Sequence, residues 1–390
     1  MRSAIGFVGG LVWRVLLFLT IALCIAVTVV PRFLDAIYYQ GPISDHFDGE
    51  RFFNPGTDDT AAPPGGGTRG GFLFRQLTGS DARPPWPTRV AVQPSRPAPR
   101  VEGDRMVATW VGHATFLVQT QGLNILTDPI WSRTAGPFGL GPARVAEPGI
   151  AFDDLPKIDL IVVSHNHYDH MDLTTLQRLW RRDRPLIVTS LGNDTVLAQA
   201  GISAVAGDWG QRVAVRPGID IVINRNHHWS SRWLSDRSRA LWSSFVVTLP
   251  AGGNLFFAGD TGMGDGEWPR QAAALGPIRL ALIPIGAFRF VPGQMGTASH
   301  IGPIDAAEVF ARSGASTGIG MHWGTFRLSY EAYLTPPRLL AEVMRCRGEN
   351  SFTTSRIGAP VAVPSYRAGA RAASRDVGRC LDTAAVHALR

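Results

Sequence analysis

The sequence predicts a mixed α and β domain behind one N-terminal transmembrane helix. Three observations carry that expectation. Short apolar runs bounded by Gly, Pro and Asn recur through residues 106–365 and read as strands. Three longer segments between them carry helical spacing with start and stop signals. The run VLLFLTIALCIAVTVV, residues 15–30, holds no charge. Two sheets packed together under outer helices, an αββα sandwich, would fit this order. Periodicity alone stops at mixed α and β.

The sixteen residues of the N-terminal run at ~1.5 Å each reach ~24 Å, a little short of a ~30 Å hydrocarbon core. Apolar character extends back to Ala4, and Arg14 can snorkel to the interface and let the preceding turns complete the span. A cleaved signal peptide competes, but no small-x-small site follows; the chain runs straight into Val30, Pro31 and Arg32. Residues 1–40 are therefore expected to be an uncleaved anchor. Arg2 and Arg14 precede the main run, which favours a cytoplasmic N-terminus. The expected location is the bacterial inner membrane, with the bulk of the chain in the periplasm.

Composition narrows the partners. The apolar fraction is 45% and the charged fraction 18%, enough for a sizeable core and too apolar for a disordered chain. Net charge is +7, carried almost wholly by arginine, since Lys157 is the one lysine. No run of five basic residues occurs, so nucleic acid is not an expected partner. A diffuse arginine excess suits proximity to anionic lipid. The three cysteines form no CxxC pair, which argues against a cysteine zinc knuckle. Cys346 and Cys380 read equally well as a disulfide outside the cytoplasm or as two unpaired thiols.

Residues 41–105 look like a connector. PGTDDTAAPPGGGTRGG and RPPWPTRVAVQPSRPAPR are too rich in Pro and Gly for a regular helix or central strand. From Met106 the pattern changes. VATWV, ATFLVQT, LNILTD and DLIVVS read as strands, followed by LIVTS, SAVAG, QRVAV and IDIVINR. SSFVVTL and NLFFAGD form a hairpin-like pair, and LALIPIG and TGIGM complete the set. Helices are expected over 172–182, with Asp172 as N-cap, over 303–314, and over 336–348. The tail at 366–390 is Arg/Ala/Gly-rich and expected to be loose.

SHNHYDH, residues 164–170, follows the buried strand DLIVVS. Its polar residues are too close together to be independent core positions, because neighbours on a strand face opposite ways. A turn at the strand end would let His165, His167, Asp169 and His170 converge as ligands for zinc, iron or manganese. One loop cannot fill two metal shells. His228 after IDIVINR, Asp260 in FFAGDTG and His322 in GMHWGT each stand just past an apolar strand and are the further candidates.

These residues and the runs around them resemble the metallo-β-lactamase superfamily. The runs TWVGHATFLVQ, LTDPIWS, SHNHYDHMD, HWSSRW, LWSSF, FFAGDTG, IPIGAF and HWGTF with YLTPP resemble its N-acyl-phosphatidylethanolamine-hydrolysing phospholipase D group, in order, over roughly 105–345. The resemblance implies an α+β, αββα metallo-β-lactamase-type catalytic domain over 106–365, with two zinc ions between the sheets. Carried over by position, His165, His167 and His228 would hold one zinc, and Asp169, His170 and His322 the other. Asp260 would bridge them. His227 is an alternative to His228, although the matching histidine is the one before Trp229. His300 lies where the group has a histidine near the substrate phosphate. The membrane segment falls outside the resemblance.

The chemistry follows. Two metals ~3.5–4 Å apart can share a hydroxide. Two zinc ions with two aspartates and that hydroxide leave a centre of about +1, which suits a monoanionic phosphodiester. The resemblance implies hydrolysis of a glycerophospholipid to phosphatidic acid and an N-acylethanolamine, with Asp169, Asp260 and His300 in catalytic positions. A lactonase or nucleotide phosphodiesterase could use the same centre, and a non-catalytic metal-binding envelope protein is the reading from another class. Asp128 could orient a ligand imidazole, and His113 could line the site. Trp229, Trp233 and Trp323 flank the ligands and read first as packing, then as lipid contacts.

Overall fold

Alternate residues of one strand belong to different cores here, and that sorting defines the layers. In the strand Ile278–Pro284, Leu280 and Leu282 face the opposite sheet while Ala281 and Ile283 face helices. In Leu160–Val163, Leu160 and Val162 face the other sheet while Ile161 and Val163 face helices on the far side. Side chains alternate across a strand, so a strand apolar on both faces needs a partner layer on each. The result is the αββα sandwich.

This computed structural model describes residues 2–28, 37–56, 60, 83–233, 235–290, 297–368 and 377–389. Arg32, most of the Pro/Gly-rich stretch 55–71 and part of the tail lie outside the described residues. The helix α1 covers Arg2–Thr28. Within it, Gly9–Thr28 is long and apolar enough to cross a membrane, with mean hydropathy 2.4, and none of it is buried.

The first sheet holds β1 (Met106–Gly112), β2 (Thr115–Thr120), β3 (Leu123–Thr127), β4 (Leu160–Val163), β5 (Leu186–Ser190) and β6 (Val205–Gly207) in chain order. The second holds β7 (Arg212–Arg216), β8 (Ile219–Asn224), β9 (Ser244–Thr248), β10 (Asn254–Phe257), β11 (Ile278–Pro284), β12 (Thr317–Met321) and β13 (Phe352–Thr353). β14 (Pro360–Val363) returns to pair with β1. β3 to β6 run parallel, as do β10 to β13. The expected pair SSFVVTL and NLFFAGD is the antiparallel β9–β10 ladder.

On the first sheet lie α2 (Leu173–Asp183) and α3 (Asn193–Gln199); on the second lie α4 (Trp268–Ala274), α5 (Pro303–Ser313) and α6 (Thr335–Arg347). Asp172 caps α2, accepting from Thr174 and Thr175 amides. Gly314 and Gly348 end α5 and α6 in the left-handed region, where a Cβ would be strained. The short helices α3 and α4 were not expected; seven residues each give too few periods to read. β13 and β14 were also unforeseen, being two and four residues long.

Two flanking segments, one read as connector and one expected to be loose, are packed on the domain. Residues 37–56, spanning the end of the expected anchor and the start of the connector, pack on the domain: Tyr38, Phe47 and Phe52 are buried. The Tyr38 hydroxyl donates to Asp236 at 2.8 Å, and His46 stacks on Trp209 between the carboxylates of Asp45 and Asp208. In the tail, α7 (Val377–Leu381) and α8 (Ala384–His387) lie against the second sheet's helices, with Leu381 buried there. A disulfide joins Cys346 of α6 to Cys380 of α7, a separation of 34 residues.

Closing that loop restricts the unfolded chain by about 3–4 kcal/mol. Reduction, or Cys346→Ser with Cys380→Ser, should lower the denaturant-unfolding free energy by about that amount; equal midpoints with and without reductant would refute a stabilising role. Burial alone would lower the pKa of His46, but Asp208 and Asp45 outweigh it and hold it above its ordinary value. A raised folded-state pKa means that the contribution is complete below ~6.5 and is lost as pH climbs through the raised value. Hydrogen exchange at the Phe52 amide, which donates to Ser238, should therefore accelerate beyond its intrinsic rate at alkaline pH in the wild type. The His46→Gln protein should show no such step.

Candidate metal centre

The strands β1, β3, β4, β8, β10 and β12 all end on one edge of the sandwich, because antiparallel neighbours intervene in pairs. Each end delivers a polar residue. His113 sits in the β1–β2 turn, Asp128 after β3, His165 to His170 after β4, His228 after β8, Asp260 after β10 and His322 after β12. His300 follows a short turn before α5. His113, Asp128 and His322 have φ of 54°, 31° and 62°. Such conformations cost ~1–3 kcal/mol each, and here they turn three strand ends inward. The His322 amide donates to the His113 carbonyl at 3.1 Å, tying two of them together.

All ten sequence-predicted site residues come together. In one set, His165 Nε2 lies 2.8 Å and His228 Nε2 3.4 Å from His167 Nδ1. In the other, Asp169 Oδ2 is 3.4 Å from His170 Nε2 and 3.5 Å from His322 Nε2. Asp260 Oδ2 stands 3.0 Å from His170 Nε2 and 2.9 Å from His322 Nε2, and Asp260 also groups with His228 and His300 on the side of the first set. His300 Nδ1 is 3.7 Å from the Asp260 carboxylate.

Outer hydrogen bonds set which nitrogen faces inward. His170 Nδ1 donates to Asp128 Oδ2 at 2.6 Å, and His228 Nδ1 donates to the Ser299 carbonyl at 2.8 Å. Ser164 Oγ donates to Asp128 at 2.6 Å and accepts from His165 Nδ1 at 2.9 Å. These bonds occupy Nδ1 and leave the Nε2 lone pairs of three histidines free for a metal. His113 Nε2 donates to Asp169 at 2.9 Å. Asp128 and His113 thus stand where they can orient ligands.

The residual buried atoms fit divalent cations. Among the described residues, Asp260 Oδ1 is buried without a hydrogen-bond partner, and His170 Nε2 and His322 Nε2 make no well-directed hydrogen bond although Asp260 Oδ2 lies within 3.0 Å of each. Orphaned polar atoms are costly in an interior, and here they point at one another. Burial, reinforced by neighbouring imidazoles, pushes His165 and His228 well below the ordinary histidine range, and burial lowers His167 to about 3. Those rings are neutral at physiological pH, as ligands must be. For His322, burial is outweighed by the Asp260 and Asp169 carboxylates, which raise it to about 9; His170 is raised well above its usual value by the same pair. The second set therefore carries surplus negative charge that draws protons, and a cation seated there would displace them.

Geometry also decides the open alternatives. Among the described residues His227 joins none of the ligand groups, whereas His228, the ring before Trp229, converges with His165 and His167. Trp229 packs its ring 4.4 Å from His167, with Arg237 over it, and Trp323 packs between Trp110 and Tyr333. Trp233 is partly buried, with its Nε1 unpartnered among the described residues.

Several contributors went unread in the sequence. Ser164 and Ser299 are two. Arg232 donates to the carbonyls of Asn166 and Met171 at 2.9 Å each, clamping the histidine loop from both sides. Asn226 donates to the carbonyls of Ala258 and Asp260, and Asn54 to that of His228. Serines preceding His165 and His300 were a visible signal; Asn54 gave none.

The comparisons agree with this architecture. Residues 123–323 match the family described as the beta-lactamase superfamily domain. The solved structure of Igni18, a metallo hydrolase from the archaeon Ignicoccus hospitalis, superposes with a TM-score of 0.51 at 21% identity, covering 66% of this chain and 98% of that one. The chain belongs to the metallo-β-lactamase superfamily, as a metal-dependent hydrolase. Within it the similarity is to the N-acyl-phosphatidylethanolamine-hydrolysing phospholipase D group. The Caenorhabditis elegans protein named N-acyl-phosphatidylethanolamine-hydrolyzing phospholipase D 1 is 36% identical over 268 residues, 65% of this chain and 74% of its own length. The mitochondrial protein of that name from Saccharomyces cerevisiae is 34% identical over 237 residues, 60% of this chain and 50% of its own.

Asp128→Ala would leave His170 Nδ1 and Ser164 without their acceptor. Metal affinity, read by chelator competition, should fall ~10- to 100-fold; an unchanged affinity would remove Asp128 from the orienting role.

Proposed function

We propose that this chain is a zinc-dependent phosphodiesterase that hydrolyses a glycerophospholipid of the N-acyl-phosphatidylethanolamine type to phosphatidic acid and an N-acylethanolamine. The observation that carries it is the placement of Asp260, whose carboxylate touches one donor set and groups with the other. That arrangement suits a pair of metals sharing one ligand. The likeness to the worm enzyme, 36% identical, supports the choice of lipid. Two zinc ions, when bound, would supply a nucleophilic hydroxide at neutral pH and positive charge for the phosphoryl oxygens.

The chain's own residues do the rest. His165, His167 and His228 would hold one ion, Asp169, His170 and His322 the other, and Asp260 both. His300 lies beside Asp260 and lines a cavity of about 460 Å³ whose wall includes Met263, Phe288 and Leu339. Burial lowers its pKa to about 4, so it is neutral and can donate a hydrogen bond to a phosphoryl oxygen. The wall is mixed, since Asp305 also lines it; its apolar side chains suit a segment of an acyl chain. Water adds its hydroxyl to phosphorus, the P–O bond to the ethanolamine oxygen breaks, and a proton ends on that oxygen. Asp169 and Asp260 limit the centre's charge so that a monoanionic phosphodiester binds and the product can leave.

The anchor, connector and catalytic domain assigned from sequence fit a membrane-held enzyme. The Cys346–Cys380 disulfide suits an oxidising compartment, which supports the periplasmic side of a bacterial inner membrane.

Purified full-length protein loaded with zinc should convert N-acyl-phosphatidylethanolamine to the two products by mass spectrometry. Hydrolysis confined to lactones or cyclic nucleotides in the same panel would overturn the substrate. Asp260→Asn should lose about 100-fold or more in turnover while retaining part of its zinc; full turnover would refute the shared-ligand role.

A further inference from the structure

The loop TAGPFGLGPA, residues 134–143, has no charged residue and no buried residue. Its tip exposes Phe138 at 88% and Leu140 at 67%, among the most exposed large apolar side chains of the domain. The tip is nevertheless held in shape. Thr134 pairs with Ala143 in an isolated bridge, the Ala135 amide donates to the Pro142 carbonyl at 3.0 Å, and the Leu140 amide to the Pro137 carbonyl at 2.9 Å. A Cβ at Gly136 would lie 2.1 Å from the Leu140 carbonyl oxygen, so this crossing requires glycine. A water-facing loop gains nothing from holding Phe and Leu outward; such a patch marks an interaction surface.

The stem of this loop leads to the metal centre. The Val145 amide donates to the Thr325 carbonyl, the Thr325 hydroxyl accepts from the His113 amide, and the Phe326 ring lies 5.3 Å from that of His113. Whatever the tip binds is thereby oriented against the site.

We infer that residues 134–143 are an interfacial insertion loop that seats Phe138 and Leu140 in a lipid surface and presents the metal centre to lipid headgroups. Four observations favour a bilayer. The tip exposes about 300 Å² of apolar side chain, well short of the ~800 Å² per partner of a stable protein interface. Arg133, 79% exposed at the base of the stem and held among the described residues only by a solvent-exposed pair with Glu147 at 3.4 Å, leaves most of its guanidinium open to anionic headgroups. The chain carries an apolar helix, and Thr28 and Ile37 are nine positions apart. Even an extended link keeps the domain within ~30 Å of that helix. Finally, Tyr38, where the described chain enters the domain, and Trp131, just before the stem, pack in the same cluster on the first sheet. The proposal rests on the lipid reading of the site, and its test separates the two.

The test uses full-length protein in liposomes of phosphatidylethanolamine and phosphatidylglycerol, in a Cys24→Ser background that leaves the disulfide intact. An environment-sensitive fluorophore is placed at Leu140→Cys or, as control, at Val205→Cys, which is exposed at the start of β6, away from the strand ends that form the site. The label at 140 should shift to the blue and be quenched by lipids bearing nitroxide on the acyl chain, and the label at 205 should not. Equal behaviour at the two positions, or a shift at 140 that follows protein concentration in detergent without lipid, would overturn the inference. The double variant Phe138→Asp with Leu140→Asp should lose ~10- to 100-fold in kcat/KM on vesicle substrate and keep its rate on bis-p-nitrophenyl phosphate. Insertion without phospholipid hydrolysis would sink the substrate reading alone; hydrolysis without insertion would sink the loop alone.

Discussion

The Asp128 carboxylate accepts from His170 Nδ1, from the Ser164 hydroxyl and from the Ser164 amide, with no solvent exposure. Through Ser164 it also reaches His165. One buried anion therefore orients a ligand from each donor set, and the rest of the centre is arranged around that constraint. A carboxylate in this position without partners would cost several kcal/mol, so the β3 end, the β4 end and the histidine loop must close together or not at all. The positive φ of Asp128 accompanies this arrangement, turning the chain away from the extended path of β3 at the residue that supplies the carboxylate.

Around this anchor the protein adds clamps from distant parts of the chain. Arg232 holds the histidine loop by two carbonyls, Asn226 holds the Asp260 turn, and Asn54 reaches in from the N-terminal segment to the His228 carbonyl. The segment 37–56 thus does more than link an anchor to a domain. It contributes a buried polar contact to the site and is itself fastened by His46, Tyr38 and a cluster of aromatic rings. At the other end, the disulfide fixes α7 on α6, so that the tail covers helix faces that would otherwise be exposed.

The strands were legible because each is a short apolar run with a turn at its end, and because β-rich sandwiches bury both faces of a central strand. The helices α2, α5 and α6 were legible from their caps. Short elements such as α3, α4, β13 and β14 exist through contacts made in three dimensions and leave little periodicity behind. At the site, the ligand candidates stood out because polar residues immediately after apolar strands have few other reasons to be there.

The sequence by itself determined the chemistry available: five imidazoles and two carboxylates at strand ends, with His300 beyond them, and a motif order specific enough to name a superfamily. That is local information, carried by residue type and spacing. The resemblance pointed to His228 and to a shared Asp260, and the tertiary structure brings both to the centre; it alone decided that Cys346 meets Cys380 and that Phe138 and Leu140 stay uncovered. Each of these depends on which strand ends share an edge and which way a side chain turns there. Residues far apart in the chain settle those matters through packing and buried hydrogen bonds.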